Sequence, residues 1–319
     1  MVKWIKRIVI ALVLIIAIAL GYLKLALPNV GKPEELKIVA TPEMIARGAY
    51  LANHVTVCID CHSKRDWTKF SGPPIAGTEG MGGDAFTKEF GFPGSFYAKN
   101  ITPEGVGKWT DGELLRAVSC GVNRDNKAFF PVMPYPYYGH MDKEDIIAII
   151  AYIRTLKPIK NNVPPSEPEF PMSIILNTIP QKASFTKRPE KAVNATYGAY
   201  IVNAAGCSEC HTNAIKGKKV EGMDFAGGRE FVVPGKTIVS ANITPDKETG
   251  IGYWTEDAFV SKFKSFEDKS KLADIKSPSD FQSMMPWSMY AGMDSLDLKA
   301  IFAYLQTLKP IKNKVVKNI

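Results

Sequence analysis

The chain has 319 residues, of which 45% are apolar, so it can build about two domains of roughly 120–150 residues, each with its own core. The formal net charge is +8. The lysines are scattered and no basic stripe carries interleaved aromatics, which argues against nucleic-acid binding.

Residues 1–27 form a hydrophobic leader. Lys3, Lys6 and Arg7 precede an uncharged run from Ile8 to Leu23, and Lys24 interrupts before Pro28. Positive charge on its N-terminal side places that end in the cytoplasm and the body outside. The run is shorter than the roughly 20 residues of a spanning helix, a shortfall that tilt and snorkelling of Lys24 make up. We read a retained membrane anchor. Ala17-Ile18-Ala19 also resembles a signal-peptide cleavage site, and either reading leaves the body outside the cytoplasm.

Residues 28–40 read as a polar tether, and residues 41–161 as a first domain. Thr41-Pro42-Glu43 is a helix start, with threonine as N-cap and proline at the first helical position. That helix runs through Gly48-Ala49-Tyr50 towards Cys58-Ile59-Asp60-Cys61-His62. A glycine-rich stretch from Phe70 to Tyr97 predicts an irregular loop. Asn100-Ile101-Thr102-Pro103 follows, then a short helix through Cys120 opened by a capping box of Thr110 and Glu113, with Trp109 stapling onto Leu114. Met133-Pro134 precedes a last helix from about Asp142 to Leu156, with Ile146, Ile149, Ile150 and Ile153 on one face.

Residues 162–188 carry five prolines and an apolar patch from Phe170 to Ile175, which predicts a strap lying on the domains. Residues 189–319 then repeat the first domain. Gly198-Ala199-Tyr200, Cys207-Ser208-Glu209-Cys210-His211, Asn242-Ile243-Thr244-Pro245, Trp254-Thr255 and Met285-Pro286 answer their counterparts in order. Thr307 to Asn313 matches Thr155 to Asn161 residue for residue. Two homologous domains are the economical reading.

C-x-x-C-H is the attachment signature of c-type haem. Two thiols one turn apart add across the porphyrin vinyl groups, and the following histidine becomes the proximal iron ligand. A zinc ribbon would need its second C-x-x-C about 15–20 residues on, and a redox pair has no need of histidine behind it. The pattern therefore predicts two covalently bound haem c groups, on Cys58 and Cys61 with His62, and on Cys207 and Cys210 with His211. Cys120, the fifth cysteine, reads as a small buried apolar residue.

The other axial position is narrowed by supply. Only His54 and His140 remain, and the latter has no counterpart in the second repeat. Methionine is the other common partner, and it raises the potential. The repeat nominates Met133 with Met285, and Met141 with Met293. The second pair sits just before a helix start and can staple onto Ile146 and Leu298. The first pair lies in loops before proline, which favours extended backbone. Met133 and Met285 are thus the expected distal ligands, with Met284 as the rival at the second site. Trp109 and Trp254 could donate to a haem propionate or simply pack. Asn100 and Asn242 could do the same or shape the turn before Thr-Pro. Tyr50 with Tyr152, and Tyr200 with Tyr304, are expected to pack where the first and last helices of each domain cross.

On these motifs each half resembles a class I cytochrome c domain. The whole chain is similar to the membrane-associated multi-haem cytochrome c subunits of bacterial alcohol, gluconate and aldehyde dehydrogenases. The resemblance implies an all-α fold, two tandem domains each around one haem, behind an N-terminal transmembrane helix. It also implies an electron carrier of the bacterial inner membrane with haem domains on the periplasmic side, not itself an enzyme. Its partners would be redox proteins: a dehydrogenase, a respiratory complex or a terminal oxidase. No small-molecule substrate is expected. The alternative is a di-haem peroxidase with one open iron, against which the paired Met-Pro loops argue.

Overall fold

In the computed structural model, which describes residues 2–233, 235–277, 280 and 282–316, the leader is a single helix, α1 (Val2–Leu25). Its 24 residues reach about 36 Å, enough to cross a hydrocarbon core of about 30 Å. Met1 of the predicted leader and residues 317–319 of the predicted second domain lie outside the described residues.

The first half opens with α2 (Pro42–Tyr50), whose N-cap Thr41 accepts the Met44 N–H at 3.2 Å. It runs on into a π-helical turn over Leu51–Val55 and then α3 (Cys58–Cys61). Two short strands, β1 (Ala85–Phe86) and β2 (Gly94–Tyr97), precede α4 (Pro103–Val106) and α5 (Asp111–Cys120). Both arms of the Thr110–Glu113 capping box are made. After α6 (Tyr135–Tyr138) comes α7 (Lys143–Thr155), capped by the Asp142 carboxylate. The joining segment holds β3 (Glu167–Pro168) and α8 (Met172–Ile175).

The second half follows with α9 (Ala195–Ala204), α10 (Cys207–His211), β4 (Ala214–Ile215), β5 (Lys218–Lys219), β6 (Glu230–Val233) and β7 (Lys236–Val239). It closes with α11 (Glu256–Lys264), α12 (Trp287–Tyr290) and α13 (Ser295–Leu305).

In each half the first helix crosses the last at the glycine of Gly-Ala-Tyr. A Cβ on Gly48 would sit 1.8 Å from the Ala148 carbonyl, and one on Gly198 1.9 Å from that of Ala300. Only glycine lets α2 reach α7 and α9 reach α13 so closely. Met141 and Met293 are fully buried with Ile146 and Leu298 in the core, as expected for residues that staple a helix start.

The expectation of an all-α fold needs correction. The glycine-rich stretch is not wholly irregular, because β1 pairs with β2 and β2 with β3, both antiparallel. The second half adds two hairpins, β4–β5 and β6–β7. A chain leaving the helices must still satisfy its peptide groups, and short ladders between glycine turns do so.

The two halves share one continuous core, with Leu51, Ile146 and Ile150 from the first and Ile201, Leu298 and Leu305 from the second all essentially inaccessible. The hydroxyls of Tyr50 and Tyr200 reach beyond the helix crossings of their own halves. The Tyr50 hydroxyl donates to Asp297 at 2.5 Å and accepts the Asp294 N–H at 3.0 Å. The Tyr200 hydroxyl donates to Asp145 at 2.6 Å and accepts the Asp142 N–H at 3.1 Å. Each tyrosine thus caps the last helix of the other half. Asp145 also accepts from Arg47 Nε at 3.0 Å and Nη2 at 2.9 Å, and from Arg188 of the joining segment. Asp297 takes Tyr197 at 3.0 Å and Lys191 at 3.3 Å.

The joining segment is tied along the first half through Lys99 to the Pro164 carbonyl, Ser184 to Gly139 and Thr186 to Met141. Its apolar patch departs from expectation. Phe170 is 80% exposed, and α8 lies against the end of α1, where Asn177 donates to the Leu23 carbonyl at 3.1 Å.

Candidate haem centres

Each C-x-x-C-H occupies one helical turn entered through a left-handed residue, Val57 (φ 45°) in the first half and Gly206 (φ 62°) in the second. That conformation reverses the chain out of the preceding helix, and for valine it is a true outlier. None of the four motif cysteines is in a disulfide. From Tyr50 to Cys58 the first half has one residue more than the second has from Tyr200 to Cys207. The π-turn over Leu51–Val55 absorbs it, as single-residue insertions into helices do. The distortion turns His54 towards the second half, where its Nδ1 lies 2.9 Å from the Met289 carbonyl. Gly292 leaves room for the ring, since a Cβ there would fall 2.2 Å from it.

The two motif histidines are held identically. His62 Nδ1 lies 2.6 Å from the Lys99 carbonyl, and His211 Nδ1 lies 2.7 Å from that of Ala241. With Nδ1–H donating to a carbonyl, the lone pair is left on Nε2, the arrangement of a metal-binding imidazole. Burial pushes both imidazole pKa values down, partly offset by those carbonyls, so the neutral ligand form is favoured. The residues present therefore fit a covalently attached haem in each half.

Sequence reasoning missed what packs against each histidine's own peptide and its carbonyl partner. Gly82 N–H donates to the His62 carbonyl at 2.9 Å, and Gly227 N–H to that of His211 at 2.7 Å. A Cβ on Gly82 would lie 2.5 Å from the Lys99 carbonyl carbon, and one on Gly227 2.4 Å from that of Ala241. Both glycines have positive φ, 72° and 69°. Asn161 and Asn313 donate to the neighbouring Met81 and Ala226 carbonyls, each at 2.9 Å. The signal was available: a Gly-Gly pair in each repeat, and the asparagine ending each Thr-Leu-Lys-Pro-Ile-Lys-Asn.

These glycines support a test. Gly82→Ala is expected to cost about 1–3 kcal/mol and to shift the His62 environment, because the new methyl meets backbone that cannot yield. Gly77→Ala is the control, since Gly77 has a similar φ of 82° with nothing within 4 Å of a Cβ. Denaturant titration of the two variants should separate crowding from backbone conformation, and equal losses would refute the role.

Asn100 and Asn242 make the turn-shaping bonds that were one of their two expected roles. Their Oδ1 atoms accept the N–H and hydroxyl of Thr102 and of Thr244, all within 3.0 Å. Their Nδ2 atoms donate to the Ile159 and Ile311 carbonyls at 2.8 Å, and Asn242 spends its second N–H on Thr249 at 3.0 Å. Both are buried turn formers that tie the loop carrying the histidine's carbonyl partner to the segment after the last helix of its half. Trp109 packs on the core, and Trp254, 40% exposed, meets Phe259 edge-on. Neither indole N–H has a partner among the described residues.

Met133 and Met285 occupy matching turns before α6 and α12. Their carbonyls accept the N–H two residues on, from Tyr135 at 2.7 Å and from Trp287 at 2.8 Å. Both side chains are half-buried, unlike the fully buried Met141 and Met293. Met284 is half-buried as well. Cys120 is buried, with its thiol 3.6 Å from the Ser119 hydroxyl.

Paired cysteines on one turn, followed by an imidazole preset by a carbonyl, are the donor set of a c-type haem protein. Residues 195–309 match the family model described as cytochrome c, so the chain carries a cytochrome c domain, the type that holds haem covalently. The chain is similar to cytochrome c subunits of quinone-dependent alcohol, gluconate and fructose dehydrogenases. It is 30% identical over 290 residues to the cytochrome c subunit of alcohol dehydrogenase (quinone) from Komagataeibacter europaeus, covering 85% of this chain and 57% of that one. The gluconate 2-dehydrogenase cytochrome c subunit of Pantoea cypripedii is 28% identical over 285 residues, 84% of this chain and 60% of its own. A diheme cytochrome c-type protein of Cereibacter sphaeroides is 29% identical over 201 residues, 60% of this chain and 64% of its own. The chain thus spans little more than half the length of the dehydrogenase subunits it matches.

Proposed function

We propose that this protein is a di-haem electron carrier, with one c-type domain over residues 41–161 and another over 189–319. The observation that carries the reading is the pair of C-x-x-C-H turns whose histidines are each oriented by the carbonyl preceding Asn-Ile-Thr-Pro. Cys58 and Cys61, and Cys207 and Cys210, would hold the two groups covalently. His62 and His211 would be proximal ligands, with Met133 and Met285 distal. The bound haem supplies one-electron redox chemistry. The chain's own residues orient the imidazoles, favour their neutral form, and set both motifs against one shared core.

The membrane reading rests on α1, with the body placed on the periplasmic side of a bacterial inner membrane. The Asn177–Leu23 hydrogen bond supports retention, since it docks the helix end on the joining segment. Donor and acceptor would be redox proteins, a dehydrogenase on one side and a respiratory complex or terminal oxidase on the other.

Absorption spectra of the ferric and ferrous protein test this reading. The wild type should show the weak far-red thioether–iron band, and Met133→Ala and Met285→Ala should each remove about half of it. A wild-type haem that is high-spin and readily binds carbon monoxide would instead point to an open iron and the peroxidase reading.

A further inference from the structure

We propose that Ser71, in the first half, is a positioning residue for Met285 in the second, so that the loop behind the first haem motif sets the ligand geometry of the second haem. This rests on the reading of Met285 as an iron ligand. Ser71 is fully buried and adopts φ 68°, a conformation serine seldom takes. Its hydroxyl donates to the Met285 carbonyl at 2.5 Å and accepts the Trp287 N–H at 3.0 Å. The two bonds straddle Met285-Pro286 and hold the turn from both sides.

The rest of Ser71 is committed too. Its N–H donates to Gln282 at 2.6 Å, and its carbonyl accepts from Arg65 at 2.9 Å. Gln282 donates in turn to the Lys69 carbonyl at 3.2 Å, and Ser283 Oγ accepts from Met285 N–H and the Trp287 indole, each at 3.1 Å. Backbone bonds from Phe70 to Ala273 and from Ile275 to Thr68, both 2.8 Å, lock the strands of chain around this point. Behind it, Arg65 lies over the Trp67 ring and pairs at 3.2 Å with Asp60, inside the first C-x-x-C-H. A contiguous polar path therefore runs from Asp60 through Arg65 and Ser71 to Met285. The repeat is asymmetric here: among the described residues no side chain of the second half bonds to the backbone of Met133, Pro134 or Tyr135, and the second half reaches only Tyr137, whose carbonyl accepts from Asn203 at 3.0 Å and whose hydroxyl meets Ser208 and Glu209.

A weak thioether–iron bond depends on where the backbone holds the sulfur, so a loosened turn should open that iron to competing ligands. The variant to make is Ser71→Gly, because glycine accepts the left-handed backbone and removes only the hydroxyl. In the full-length holoprotein about half of the far-red band should weaken. Imidazole should then bind one haem per chain about tenfold more tightly than in the wild type, equivalent to the loss of about 1.4 kcal/mol of ligand positioning. Ser71→Thr keeps the hydroxyl but strains the backbone; it should unfold at lower denaturant yet keep the band. A purely structural role would make the band follow stability, the opposite ordering. Met285→Ala, measured alongside, separates the two readings. If it leaves the band intact, the ligand assignment fails and takes this proposal with it. If it halves the band while Ser71→Gly changes neither band nor imidazole affinity, the positioning role alone is overturned.

Discussion

A chain in which Cys207 and Cys210 are both replaced by alanine is expected to leave purification with half the covalently bound haem of the parent. Covalent attachment needs a thiol for each vinyl group, and no other cysteine stands near enough in the sequence to substitute: the fifth, Cys120, is buried in a small cluster with Val30 and Val122. The same result should follow from replacing Cys58 and Cys61. Haem-stained gels under denaturing conditions and the pyridine haemochrome ratio of haem to chain measure this directly. One haem per chain in each double variant and two in the parent is the expected pattern. A parent ratio of one would overturn the di-haem reading. We expect the Cys58/Cys61 variant to be the less stable of the two. Its motif is entered through the strained Val57, a conformation that costs of order 1–3 kcal/mol and holds only where the surroundings enforce it.

The second large effect is expected at the contact between the halves. Asp145→Ala should destabilise the protein by about 3–5 kcal/mol, because it strands the Arg47 guanidinium and the Tyr200 hydroxyl in a buried contact. Tyr200→Phe, which removes one hydrogen bond and keeps the ring, should cost about 1–2 kcal/mol. Chemical denaturation followed by far-UV circular dichroism distinguishes them; equal, small losses would show that the clasp contributes little. The contact also predicts a pH dependence. Burial tends to raise the Asp145 pKa, but the bonds from Arg47 and Tyr200 and the charge of Arg188 outweigh it and leave the value lowered. A depressed carboxylate contributes stability that is present above its unfolded pKa, near 3.9, and is lost as pH falls through the folded value. At the alkaline end, burial and then Asp145 hold the Tyr200 hydroxyl well above the usual tyrosine range. Stability from that group is intact below about pH 10 and declines above it. Asp145→Ala should remove the acid limb and weaken the alkaline one, whose larger cause, burial of Tyr200, remains.

Much of the site was legible in residue order because its chemistry is local. Two thiols and an imidazole must share one turn, so Cys58 to His62 and Cys207 to His211 announce themselves without any fold. Caps are local too, and Thr41, Thr110 with Glu113, and Asp142 stand where their spacing predicts. The repeat separated Met133 and Met285 from Met141 and Met293 before any burial was known, since a residue before a helix start packs inward.

The chain's order by itself determined the two C-x-x-C-H turns, the caps of the helices around them and the repetition of motifs along the chain. The tertiary structure alone decided how the two units lock together. Tyr50 and Tyr200 lie in the apolar runs of their own helices, and nothing in their spacing reveals that their hydroxyls reach Asp297 and Asp145 in the opposite half. Asn100 and Asn242 present an amide whose backbone partners, Thr102 and Ile159 in one half and Thr244 and Ile311 in the other, appear only in the folded chain. Ser71 and Met285 stand 214 residues apart in the chain and share a hydrogen bond. Such pairings form because buried polar groups must find partners wherever packing brings them, and packing is a property of the whole chain rather than of any window along it.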